Sequence, residues 1–280
     1  MKWKPDKLYF ANPGIPKSTP KSGTEAGITH VAKLGLDAME IEWTHSIYTT
    51  AEKAPDIKKA AEENNVILTC HAPFYINLNS LEPAKKYASI HRIVKSAEIL
   101  QMCGGWSVCY HAGFYMKMDP KKVYKTMVKR FADIDKELKK KNITDVWVRP
   151  ETTGKPSQFG SFDELLNLCK ETNTLPVVDF SHVHARDNGG FNSTEEWREM
   201  MTKMEKKLGK TALDNMHIHL SGIQYGEKGE QKHLNLPECD MNWKDLIKVW
   251  EEFKLKGVVV SESPNIEKDA LLIKKTYGKS

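Results

Sequence analysis

The sequence predicts an α/β protein, a single (β/α)8 TIM barrel with a metal site at the C-terminal face of its strands. Three observations predict it. Short β-rich runs alternate with segments of helical period along 280 residues, a length that suits one such barrel. No low-complexity or linker-like tract divides the chain, so a single domain spanning 1–280 is the economical reading. Residues of metal-ligand type stand at the C-terminal ends of six successive runs, the end at which such a barrel carries its chemistry.

In order, the run 7–10 precedes a helical segment at 23–34, the run 37–43 precedes 51–64, and the run 65–71 precedes 84–101. The run 106–111 leads to 120–140, where Val123, Met127, Phe131, Ile134 and Leu138 recur every three or four residues and lysines fill the other side. After 145–151, Ser161 with Glu164 three residues on, ahead of Leu165 and Leu166, reads as a capping box that starts a helix. After 174–180, Ser193 and Thr194 before Glu195 and Glu196 start another, with acids where the helix dipole favours them. The runs 215–220 and 256–262 precede helical segments at 242–254 and 265–276.

Composition narrows the function class. A 40% hydrophobic content supports a sizeable core, and 42 basic against 37 acidic residues permit an anionic partner without demanding one. The five cysteines show no CxxC spacing, which argues against a disulfide framework or a cysteine-based zinc module and suits a reducing cytosol. Neither a signal-peptide core nor a run long enough to cross a membrane is visible, so a cytoplasmic protein without a membrane partner is expected.

The strand-end ligands are His71, His111, Glu151, Asp179 with His182 three residues on, His219 and Glu262. Imidazole nitrogen with carboxylate oxygen suits zinc, manganese or ferrous iron, whereas calcium or magnesium would want oxygens alone. His217 is read as facing the helices and His219 as facing inward, because Leu220, Ser221 and Gly222 then open the loop. His30, His45 and His91 are set aside as surface or core residues. Glu151, Asp179 and Glu262 end apolar strands, where an unpaired carboxylate is costly to bury, and the competing role for each is an ion pair with a neighbour such as Arg149. Six strand ends carrying ligands together favour a metal centre, and a carboxylate can bridge two ions.

At these residues the chain resembles the endonuclease IV family of apurinic/apyrimidinic endonucleases, within the xylose isomerase-like barrel superfamily. The likeness runs from about residue 69 to 264. It rests on His71-Ala72-Pro73-Phe74-Tyr75-Ile76-Asn77-Leu78, Tyr110-His111-Ala112-Gly113, Glu151-Thr152-Thr153-Gly154, Asp179-Phe180-Ser181-His182, His219-Leu220 and Glu262-Ser263-Pro264. The resemblance implies that His71, His111 and Glu151 hold one zinc, and that Glu151 bridges to a second shared with Asp179, His219 and Glu262. His182 would belong to a third, completed in the family by an Asp-x-His pair. His233 matches that histidine, but Gln231 stands where the aspartate should, leaving Glu230 or His184 as substitutes.

The implied activity is DNA base excision repair: hydrolysis of the phosphodiester 5′ to an abasic site by a metal-bound hydroxide, leaving a 3′-hydroxyl, with Glu151 or Glu262 taking the water's proton. The implied partner is double-stranded DNA with abasic sites, and the family precedent is a monomer. Phe74 and Tyr75 stand where the family wedges a side chain into the duplex; packing of that loop onto the barrel is their competing role. Asn77, Lys155, Arg186, Lys228 and Lys232 are the further candidate DNA contacts. The family's basic loop after strand two is not recognisable in Trp43-Thr44-His45-Ser46-Ile47-Tyr48, and the lysines of 121–141 are read as a solvated outer face.

Two other readings compete. A single-metal sugar isomerase or epimerase of the same superfamily would use Glu151, Asp179, His219 and Glu262, with the two glutamates shuttling a proton beside a carbonyl. It has no need of His71, His111 or His233. A non-catalytic nucleic-acid-binding barrel would leave all these ligands without a task.

Overall fold

Runs of Val, Ile and Leu that are apolar on both faces become parallel strands when helices cover one face and a barrel interior the other. The strand Gly257–Ser261, buried at every residue, is the plainest case. The computed structural model describes residues 3–278. In chain order its elements are β1 (Leu8–Pro13), α1 (Thr24–Lys33), β2 (Ala38–Glu42), α2 (Ala54–Asn64), β3 (Ile67–His71), α3 (Pro83–Met102), β4 (Ser107–Tyr110), β5 (Gly113–Phe114) and α4 (Pro120–Lys140). There follow β6 (Trp147–Pro150), β7 (Gln158–Phe159), α5 (Phe162–Thr172), β8 (Val177–Asp179), α6 (Phe180–Arg186), α7 (Thr194–Leu208) and α8 (Lys210–Leu213). The chain ends with β9 (Met216–Leu220), β10 (Gly222–Gly226), β11 (Gly229–Leu234), α9 (Trp243–Glu252), β12 (Gly257–Ser261) and α10 (Glu267–Thr276).

Eight strands form one parallel sheet in the order β6-β4-β3-β2-β1-β12-β9-β8. Its two end strands meet: Glu151 bridges to Val177, and the Thr152 N–H donates to the Val177 carbonyl at 3.1 Å. The Thr152 hydroxyl also donates to the Asp179 carbonyl at 3.0 Å and accepts from the Asp179 N–H at 2.8 Å. That seam turns the sheet into a TIM barrel, the expected fold. Register sets the ligand heights: Glu42 lies opposite His71, and Asp179 opposite His219.

Each expected run overlaps one of these strands, β1 extending past the run 7–10 to Pro13, and the expected helices are present with ends shifted by a few residues. On α4, Val123, Met127, Phe131 and Ile134 are buried and the N-cap Asp119 accepts the Lys122 N–H, so its lysines do face solvent. Both expected capping boxes form, at Ser161 with Glu164 and at Ser193 with Glu196. Among the described residues no helix is long and apolar enough to cross a membrane. Two elements are additions that carry ligands, α6 running directly off β8 and the hairpin β10–β11 after β9.

The lower interior holds a charge. Arg149 lies between Trp106 and Trp147, its guanidinium carbon 4.7 and 4.8 Å from their rings, and it donates to the Asn215 carbonyl at 2.6 Å. Burial pulls it down to about 9, still cationic near neutrality. It is therefore not the ion partner of Glu151 that the sequence allowed.

Gly257 marks where β12 passes closest to β9. Its φ is +137°, and a Cβ there would sit 1.8 Å from the Met216 carbonyl oxygen. Gly257→Ala is expected to cost at least about 2 kcal/mol of stability from strain and overlap, read as a lowered midpoint in urea denaturation.

Candidate metal centre

Glu151 is the hub of the barrel mouth, and its two oxygens face different groups. Oε2 lies 3.3 Å from His71 Nε2 and 3.0 Å from His111 Nε2. Oε1 lies 3.1 Å from His219 Nδ1 and 3.4 Å from His182 Nδ1. His219 Nδ1 is also 3.3 Å from Glu262 Oε1, and His182 Nδ1 is 3.2 Å from Asp179 Oδ2. Ligand atoms of Glu151, Asp179, His219 and Glu262 all fall within 4.8 Å of one another, as do those of His111, Glu151 and His182. The structure thus brings together His71, His111, Glu151, Asp179, His182, His219 and Glu262.

Strand and loop chemistry aims these groups. His71 donates from Nδ1 to the Ala72 carbonyl at 2.7 Å, and His233 from Nδ1 to the Glu262 carbonyl at 3.1 Å. An imidazole that donates through Nδ1 presents the Nε2 lone pair, the tautomer a metal requires. His182 follows the same pattern, with Nδ1 3.0 Å from the Thr152 carbonyl and Nε2 3.4 Å from His233 Nε2. Asp179 caps α6 by accepting the His182 N–H at 2.8 Å through Oδ1. Its Oδ2 is buried without a hydrogen-bond partner despite the oblique approach of His182.

The charge balance is tight. Burial opposes charge on Glu151, but the facing His111 and His219 hold its carboxyl well below the usual range. Glu262 is held at about 2 against burial by His219. Burial would lower His71, yet its hydrogen bond to Glu151 lifts it to about 10. His182 and His219 are likewise raised against burial, by Asp179 and by Glu262 respectively. Asp179 is pushed up by burial. Protons here occupy places that cations could take, and the donor set, an orphaned carboxylate oxygen among it, fits divalent metal.

The histidine–carboxylate spacing of the third group is restored by a β-bulge. Ile223 pairs with His233 and Gln224 with Lys232, but Tyr225 pairs with Glu230, so Gln231 is the extra residue. The skip puts Glu230 on the side of β11 that carries His233, and turns Gln231 out to bond Gln224 at 3.1 Å. Glu230 Oε2 lies 3.6 Å from His182 Nε2. Gly154 permits this approach, because a Cβ there would meet the Glu230 side chain at 2.6 Å. His184 is no substitute: its Nδ1 bonds the Gly190 carbonyl and its Nε2 lies 3.3 Å from Asp240. Glu230→Ala is expected to weaken one metal site at least tenfold, to about the range seen on loss of a supporting ligand contact, while Gln231→Ala leaves metal content unchanged; elemental analysis after dialysis reads both.

Several expectations need correction. Residues two apart on a strand share a face, so His217 points inward with His219, not toward the helices. Its Nε2 is 3.0 Å from Glu40 Oε2, and burial holds it down at about 4. Arg186, expected to meet phosphate, instead pins the loop beyond Glu151 in this structure: its guanidinium donates to the carbonyls of Thr153, Lys155 and Gln158 and to the Thr153 hydroxyl. Asn77 is a loop tie, its Oδ1 accepting the N–H groups of Asn79 and Phe114. Lys228 and Lys232 are exposed on the hairpin and Lys155 is half-buried beside it. Phe74 and Tyr75 are 57% and 61% exposed, so neither is packed down onto the barrel. His45, set aside from sequence, stands at that rim, its ring centroid 6.1 Å from each of theirs.

Glu40 and Glu42 were missed. Both lie on the apolar run Ala38-Met39-Glu40-Ile41-Glu42, where carboxylates two apart carry the signal found at other strand ends. Glu42 lines the mouth, a cavity of about 490 Å³ that it shares with His71, His111, Glu151, His233 and Glu262. Burial, reinforced by Glu40, raises its carboxyl to about 8, and one of its oxygens has no partner.

The family model for the xylose isomerase-like TIM barrel matches residues 28–276. The chain belongs to that family. Within the xylose isomerase-like barrels, it is 40% identical to an uncharacterized protein of Methanocaldococcus jannaschii over 271 residues, 97% of each chain. It is 24% identical to a probable endonuclease 4 of Mycoplasma pneumoniae, over 71% of this chain and 68% of that one. Among solved structures it resembles endonuclease IV from Thermus thermophilus (TM-score 0.71, 16% identity, 97% of each chain). It resembles a D-tagatose 3-epimerase-like protein to the same degree (TM-score 0.71, 17% identity, 94% of each chain), so these structural likenesses speak for the barrel alone.

Proposed function

We propose that this xylose isomerase-like barrel is a zinc-dependent phosphodiester hydrolase that incises duplex DNA 5′ to abasic sites. The observation that carries the reading is the division of Glu151, with His71 and His111 on one oxygen and His219 and His182 on the other. A single-metal epimerase needs only the second side. His71, His111 and Glu151 would hold one ion, Glu151, Asp179, His219 and Glu262 a second, and His182, His233 and Glu230 a third. Bound there, divalent ions supply Lewis acidity at the phosphoryl oxygens and lower the pKa of water.

The remaining work falls to the chain. Both oxygens of Glu151 are committed and buried, whereas the Glu262 side chain is 14% exposed at the mouth, so Glu262 is the better group to accept the attacking water's proton. Phe74 and Tyr75 give exposed rings beside the mouth that can fill the gap in the base stack, and lack of a base makes extrusion of the abasic nucleotide cheap. Lys228, Lys232 and Lys155 supply cations for the flanking phosphates.

Incubation of the zinc-loaded protein with a duplex carrying one stable abasic analogue is expected to give a single nick whose 3′-hydroxyl a polymerase extends. His71→Ala and Glu262→Gln should each abolish it. Absence of incision by the parent protein would sink the assignment. Glu42 favours a second reading, because a carboxyl group with an unpartnered oxygen in the mouth suits a sugar hydroxyl better than a phosphate. A ketohexose epimerised at C3 by protein holding one metal equivalent, with no nicking, would establish it.

A further inference from the structure

Beneath the mouth, behind His219, lies a sealed polar layer whose other members, Glu40, Thr69, Ser107 and His217, have no part in the reaction above. Glu40 on β2 is 0% exposed and touches groups from two other strands. Its Oε1 is 2.9 Å from His219 Nε2 and its Oε2 is 3.0 Å from His217 Nε2. The Thr69 hydroxyl donates to Oε2 at 2.8 Å. His217 is held from its other side by Ser107, whose hydroxyl lies 3.0 Å from Nδ1. The imidazoles approach Glu40 too obliquely for hydrogen bonds, so Glu40 Oε1, His217 Nε2 and His219 Nε2 are held by ion-pair contact alone.

We infer that Glu40 is the positioning residue of the metal centre. Its Oε1, 2.9 Å from Nε2 of His219, favours the tautomer protonated at Nε2 and leaves Nδ1 as the atom offered to Glu151, Glu262 and a bound ion. A carboxylate behind a ligating histidine orients the ring and raises its basicity. Here the carboxylate is itself braced, by the Thr69 hydroxyl and by His217, so three strands, β2, β3 and, across the barrel, β9, set one ring. The layer has no opening to solvent, since Glu40, Thr69, Ser107, His217 and His219 are all fully buried. Were Glu40 removed, two imidazole N–H groups would lose the acceptor within reach, a desolvation cost that the ring of His219 avoids by turning away from the metal.

The inference rests on the metal-centre part of the reading above, and the test separates the two. Zinc affinity is measured by competition with a chromophoric chelator, and imidazole N–H signals by long-range proton–nitrogen NMR on histidine-labelled protein. Glu40→Leu is expected to weaken one zinc equivalent about 10- to 100-fold. The equivalent held by His71 and His111 should keep its affinity, and the slowly exchanging Nε2–H of His219 should be lost. Glu40→Gln, which keeps an acceptor oxygen, should restore both to within a few-fold. If the leucine variant does not fold, Glu40→Asp, too short to reach His219, should show a loss of about tenfold. Wild-type affinity and a retained Nε2–H in the leucine or aspartate variant would overturn the role of Glu40. A parent protein that binds no zinc would instead overturn the metal centre, while the Nε2–H signal of the metal-free protein still reports on Glu40 alone: kept in the parent and lost on substitution it supports the contact, and unaffected it refutes it.

Discussion

Glu151→Gln is expected to leave the protein at least one equivalent short of divalent metal and to reduce incision at least a hundredfold, to about or beyond the loss seen when a supporting contact alone is removed. The reason lies in how the carboxylate is shared. Each oxygen faces two histidines, so a neutral amide removes the anion from both sides at once and sets an NH2 group against imidazoles on one of them. The buried partners His71, His182 and His219 lose their counter-charge too, and breaking such an arrangement costs about 3–5 kcal/mol. Elemental analysis and a nicking assay on the same sample read the first two effects, and calorimetry the third. Full metal content in the variant would reduce Glu151 to a structural residue of the barrel seam.

Removing the metal by chelation is expected to lower Tm by about 10 °C when the starting metal stood a thousandfold above its Kd, which corresponds to about 4 kcal/mol. It should also reshape the pH dependence. In the metal-free protein His71 is raised from 6.5 to about 10, so its stabilising contribution is complete below 6.5 and is lost as pH rises through 10. Glu262 is lowered from 4.5 to about 2, so its contribution is complete above 4.5 and is lost as pH falls toward 2. In metal-free protein these two contributions are therefore both complete between those ordinary values, and metal should extend stability to higher pH. Loading near neutrality should release protons, because His71, His182 and His219 must give theirs up. A Tm series against pH, with and without chelator, checks the shift, and a weakly buffered titration with zinc counts the protons.

Much of this was legible because a parallel barrel turns sequence position into height. Apolar runs ending in His71, His111, Glu151, Asp179, His219 and Glu262 had to place those ends on one face once the fold was known. What escaped depended on information outside the run. His217 was misplaced by a wrong step in a two-residue period, and Glu40 was passed over because its run ends on an aromatic, with the carboxylates inside it. Arg186 has the composition of a phosphate contact, and only the carbonyls around it reveal that both its terminal nitrogens are engaged in tying a loop. The place of Glu230 turns on a bulge, and a motif written as a fixed spacing is blind to a residue that the hairpin skips.

The seam of the barrel carries a further consequence. β6 and β8 join through Glu151, Thr152, Val177 and Asp179, a shorter contact than any other pair of neighbouring strands makes in this ring. Glu151 and Asp179 are also candidate ligands, so an ion held between them would fasten the last gap in the cylinder. Loading the centre would then be a step in closing the fold, and amide protons at residues 151–153 and 177–179 would exchange fastest among the barrel strands once the ions are withdrawn.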